Sequence, residues 1–234
     1  MARLTRKELK SDKFALEVQH SVEFVSEHRQ QLIRWGGIGA AVAVLVVAFV
    51  VYRNHEHGVR QEALHHAMQV QNASVGNQSS EFMLTFPTEA DRLKAAVQAF
   101  TEVVTKYPGT DEAAVAQFFL GTNAVDAGNI PEAEKRFQLV IDSGNTTYGS
   151  LAKLALAQLF ASEGKRADGE KLIQSAIDHP SNLVSKEEAT LALGRLLQAS
   201  DPSRARKLLE PLRSSPRSSI SRAAITAVSE LPEK

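Results

Sequence analysis

Hydrophobic and polar positions change rhythm twice along the chain. At the start, Phe14, Val18, Val22 and Val25 recur at spacings of four, four and three, with Glu17, Glu23, Glu27 and Arg29 off that line. This is the period of a helix with one apolar stripe, and Thr5-x-x-Glu8 fits a capping box that opens it. Residues 35–52 then read WGGIGAAVAVLVVAFVVY, with no charge or amide among them. After residue 91 apolar positions again recur at helical spacing, now separated by Gly, Pro and Asn. Little in this pattern alternates with the period of a strand, so the sequence predicts an all-α chain.

The apolar run is long enough to matter by itself. As a helix, 18 residues cover about 27 Å, close to the ~30 Å hydrocarbon layer of a bilayer. A core helix of that length would carry a polar face, and this one has none. Trp35 and Tyr52 stand at its ends, where amphipathic rings favour the headgroup layer, and Arg34 and Arg53 close it. Before it lie Arg3, Arg6, Lys7, Lys10, Lys13, Arg29 and Arg34, and in a comparable stretch after it only Arg53 and Arg60. That excess of basic residues predicts a cytoplasmic N-terminal side. A cleaved export signal fits poorly, because no pair of small residues follows the run where Tyr52, Arg53, Asn54 and His55 stand. Gly36 and Ala40, and Gly39 and Ala43, are small residues four apart that would let another membrane helix approach closely.

A longer period follows. Ala96, Phe100 and Val103 are matched by Ala133, Phe137 and Val140, by Gly169, Ile173 and Ala176, and by Ala205, Leu209 and Leu212, at intervals of 37, 36 and 36. Each triplet is a helix with a small residue at a crossing point and a large one a turn later. The last three are preceded by helices predicted at 113–127, 151–162 and 186–199, carrying Leu120-Gly121, Leu156-Ala157 and Leu193-Gly194. Gly128 and Gly164 are expected to end two of these helices in the left-handed conformation. Residues 217–230 would close the array.

This helix–turn–helix unit resembles the tetratricopeptide repeat, which has Leu-Gly in its first helix and Ala and Phe in its second. The unit at 114–147 matches best; the consensus Trp and Tyr are missing throughout. The predicted fold is therefore one N-terminal transmembrane helix followed by an α-solenoid of degenerate tetratricopeptide-like helix pairs. The expected organisation is a cytoplasmic amphipathic segment at 1–34, the span at 35–52, a helical stalk and loop at 53–90 and the repeat domain at 91–234. This plan, with its opening MARLTRKELK, is similar to that of the ancillary SecYEG translocon subunit family. The resemblance implies a bacterial inner-membrane protein, N-terminus in, whose periplasmic repeat domain meets translocon subunits, secreted chains or periplasmic chaperones. Cell-division coordinator proteins share the repeat type but are usually exported with a cleaved signal, so an envelope scaffold for division or cell-wall machinery is the alternative.

Composition removes other classes. The 234 residues hold 27 basic and 27 acidic side chains, which argues against a nucleic-acid binder driven by bulk charge. Without cysteine there are no disulfides, thiolate metal sites or cysteine nucleophiles. His55, His57, His65 and His66 lack the i, i+4 spacing of paired helical ligands, so no metal is expected. No G-x-S-x-G, P-loop or H-E-x-x-H occurs; the expectation is a non-enzymatic binding protein without cofactor. In stacked helix pairs the first helix of each lines the concave side. By repeat position, the candidate protein-binding groove comprises Val115, Phe118, Thr122 and Asp126, then Leu154, Gln158 and Ser162, then Leu191, Arg195 and Gln198. The C-terminal part is basic, with seven Lys or Arg against Asp201 and Glu210 between positions 195 and 222. It suits an acidic partner or anionic lipid.

Overall fold

The structure is a computed structural model that describes residues 29–76 and 84–232. The capping box at 5–8 and the stripe at 14–25 lie outside the described residues. The chain divides into two compact units, Met1–Gly58 and Val59–Lys234. Helix α1 (Arg29–Gln71) contributes to both. Within it, Gly37–Gln71 is long and apolar enough to cross a membrane.

The second unit continues with α2 (Glu89–Lys106), α3 (Asp111–Asp126), α4 (Ile130–Asp142), α5 (Thr146–Ser162), α6 (Arg166–Asp178) and α7 (Lys186–Leu197). It ends with α8 (Pro202–Leu209), a 3-10 turn (Glu210–Ser214) and α9 (Ser218–Ser229). The one sheet feature among the described residues is a parallel pair, β1 (Ser74–Val75) with β2 (Thr85–Phe86), in which Ser74 lies opposite Thr85.

Local chemistry sets these boundaries. Thr88, Thr110, Asn129, Asn145, Ser185 and Asp201 each use a side-chain oxygen to accept the N–H three residues on, satisfying a free donor of the first turn. Ser185 and Glu188 complete a capping box. At the other ends, Gly128 and Gly164 have φ of 70° and 81°, as expected. The next residue then donates back into the helix, Asn129 to Ala124 at 2.8 Å and Lys165 to Phe160 at 2.7 Å. The fourth second-helix stops early: it was expected to reach Leu212, but Pro211 has no N–H to continue the ladder and the chain tightens into the 3-10 turn.

The pairs are α1 (from Val59) with α2, α3 with α4, α5 with α6, and α7 with α8; α9 closes the array on α7 and α8. First helices also touch one another, α3 with α5 and α5 with α7. Three successive apolar clusters make the core, around Phe100, around Phe137 and Leu156, and around Ile173, Leu193 and Leu209. A ring chain links the first two: Phe100 stacks on Phe119 at 5.1 Å, and Phe118 meets Phe119, Phe137 and Tyr148 at 5.5–5.8 Å. Crossings depend on the small residues. A Cβ at Gly121 would lie 2.7 Å from the Phe137 ring, one at Gly194 2.5 Å from Leu209, and one at Gly169 2.8 Å from the Ala157 carbonyl. Phe86 packs on the first cluster, whereas Leu84 beside it is exposed.

The repeat unit begins earlier than the expected residue 91. Ala63, Leu64, Ala67, Met68 and Val70 pack with Ala96, Phe100 and Val103, so the end of α1 is the first helix of pair one rather than a stalk.

Candidate protein-binding surface

Each first helix has one small residue where its partner crosses: Ala67, Gly121, Ala157 and Gly194, all buried. Counting from these residues sorts the predicted groove into rows. Three residues before stand Leu64, Phe118, Leu154 and Leu191; one residue after stand Met68, Thr122, Gln158 and Arg195.

The earlier row is a floor, not an open wall. Leu191 is 8% exposed and belongs to the C-terminal core, against which Leu154 also packs. Phe118 is half-buried between Phe137 and Tyr148, filling the space between pairs two and three. Leu191 thus has almost no surface to offer a ligand, because neighbouring pairs close over this row. Val115, one turn before Phe118, is half-buried.

The later row changes from Met68 and Thr122, half-buried, to Gln158 and Arg195, exposed. One turn further on, Asp126 and Ser162 are exposed as well. Two hydroxyls in this region are already used locally: Thr122 donates to the Phe119 carbonyl at 2.9 Å and Ser162 to the Leu159 carbonyl at 2.7 Å. Gln198 donates to the Ala227 carbonyl at 2.8 Å, fastening α7 to α9. The side chains with freedom to meet a partner are Gln158, Arg195 and Asp126, presented by three first helices that stand in line.

Leu64 and Met68 escaped the sequence reading. Counting one repeat back from Gly121 does not reach them, because residues 72–88 intervene in pair one between the end of α1 and the start of α2. The usable signal was the close set Ala63, Leu64, Ala67, Met68.

Polar side chains around the end of α1 are paired. Asn123, 2% exposed, exchanges two hydrogen bonds with Gln71, at 3.0 and 3.1 Å. Arg92 donates to the Gln71 carbonyl and to Glu89. The bond from Arg92 holds the Glu89 carboxyl below its usual range, and the same bond, helped by the charge of Asp126, holds Arg92 above its own. Arg60 lies 3.5 Å from Glu112, whose side chain is 7% exposed.

In the apolar part of α1, Trp35 is 73%, Leu45 68% and Tyr52 63% exposed. A Cβ added at Gly39 would meet nothing within 4 Å, and Ala43 is exposed, so this small-residue edge is open. Gly36 and Ala40 are helical; their surroundings lie outside the described residues. Among the described residues no three His, Asp or Glu side chains gather where a metal could be held.

Paired helices, small crossing residues and side-by-side first helices define a tetratricopeptide-type protein. The family model for the tetratricopeptide repeat-like domain matches residues 29–180, more than half of the chain and inclusive of α1. The chain belongs to that family. No curated protein matches it. Domains of this kind serve protein–protein interaction.

Proposed function

We propose that the chain is a single-pass protein of a bacterial inner membrane whose repeat domain stands on the periplasmic side. There it binds secreted chains or their chaperones beside the SecYEG translocon, as a non-enzymatic adaptor. The observation that carries this reading is one helix with two characters. Its first part exposes apolar side chains on every side, and its last part is built into the first repeat pair. Such an apolar surface is stable only in lipid or against another apolar helix. The basic excess before the span supports the orientation. The wall of Gln158, Arg195 and Asp126 over an apolar floor suits peptides without strict sequence demand.

Photo-crosslinking from Gln158 and Arg195 in intact membranes should recover translocon subunits or secreted clients. Recovery of division or cell-wall proteins instead, with septal enrichment of a tagged chain, would favour the scaffold reading. A reporter fused after Lys234 and active only outside the cytoplasm checks the orientation; silence there turns the domain into a cytosolic platform.

A further inference from the structure

Both ends of the repeat array carry an unfinished helix-packing surface, and the two surfaces match. At the first end is a groove of about 330 Å³ between the last part of α1 and α2. On α1 it is lined by Val59, Glu62, Ala63 and His66. On α2 it is lined by Ala99, Glu102, Val103 and Lys106. Each set follows the i, i+3, i+4, i+7 pattern of one helix face, so the two faces form a seat for a third helix. The seat looks away from α3. Arg60 and Gln71 of α1 are bonded or paired to α3. At 100° per residue, Glu62 and His66 lie well round the helix from them. Among the described residues nothing covers this seat.

At the other end, α9 buries Ile220, Ala224 and Ala227 against α7 and α8. Its opposite face presents Ser218, Arg222, Ile225 and Ser229, all exposed, with Ile225 at 47%. This is again a helix face, thin because its residues are mostly small, with one apolar knob and a guanidinium.

We infer that the array stacks end to end, the outer face of α9 of one copy entering the α1–α2 groove of the next. Ile225 meets the apolar floor of Val59, Ala63 and Ala99. Arg222 meets the acidic edge at Glu62; Glu102 is already paired with Lys106. Charge favours this occupant: α9 carries Arg222 and no carboxylate, so it brings only positive charge to Glu62. The contact is heterologous, so copies form rings or open rows rather than isologous dimers. The inference does not depend on which proteins the concave wall binds.

The chain has no cysteine, which makes the test clean. Full-length Val59→Cys with one tag is co-expressed with Ile225→Cys carrying another, and membranes are treated with a short bismaleimide. The expected product joins the two tags. Its yield should fall about fivefold with Arg222→Glu, the upper range for one exposed ion pair, and recover when Glu62→Arg is added to the Val59→Cys copy. A Leu139→Cys copy, exposed on α4 but away from either end, is the collision control. A yield with Ile225→Cys no higher than with Leu139→Cys overturns the proposal. So does dominant crosslinking of Val59→Cys to itself or to a different protein.

Discussion

Pairs one and two use the same packing and different connections. In pair two, α3 and α4 are joined by Ala127, Gly128 and Asn129, and the crossing brings Gly121 under the Phe137 ring. In pair one, residues 72–88 separate the helices, and the crossing brings Ala67 near Phe100. The tight turn fixes the geometry of pair two locally. Pair one obtains it from the apolar cluster its helices share and from the bond Arg92 makes to the end of α1, while Gln71 with Asn123 and Arg60 with Glu112 fasten the pair to α3. A repeat unit is thus defined by the face its helices bury, and contiguity in sequence is one way of achieving it.

Four substitutions test that contrast. Phe137→Ala should cost about 3–5 kcal/mol by urea unfolding, since the ring is 1% exposed and fills the junction of pairs two and three. Gly121→Ala should cost about 1–3 kcal/mol, because the added methyl collides with the same ring and the pair must shift; a neutral result would show that the crossing is loose. Asn123→Ala leaves the half-buried Gln71 amide without its partner and should cost about 1 kcal/mol. Its effect should concentrate in pair one, seen as faster amide exchange in the last turns of α1 with α6 and α7 unchanged. The smallest effect is a pH dependence. Burial, then the neighbouring Glu163, push the Glu134 carboxyl up, while Lys165 at 3.7 Å only partly offsets them. The folded chain then holds that proton more tightly than the unfolded chain, so stability falls as pH rises from about 4.3 through the raised value. Glu134→Gln should flatten that slope; an unchanged slope would remove Glu134 as its source.

The sequence was legible where one residue type had one physical solution. Gly128 and Gly164 had to end helices, and Gly121 and Gly194 had to lie at crossings. The closing helix, expected at 217–230, runs Ser218–Ser229. What escaped depended on neighbours. Repeat position gives the side of a helix that Leu191 and Phe118 occupy, but not how far the next pair closes over them. The insertion after Gln71 broke the count, so the first helix of pair one was read as a stalk. The Gln71–Asn123 exchange joins residues 52 apart in sequence, which no local pattern could announce.

Those fastenings also set an order of events during synthesis. From α3 onward each helix meets the next one or two to emerge, so packing can follow the growing chain. The polar ties of pair one cannot keep that pace. Arg60 and Gln71 leave the ribosome well before Glu112 and Asn123 exist to receive them. Leu64, Ala67 and Val70 can pack on α2 once it emerges, but the polar ties to α3 close only when Glu112 and Asn123 arrive, so the seam between pairs one and two is fastened after pair one has met.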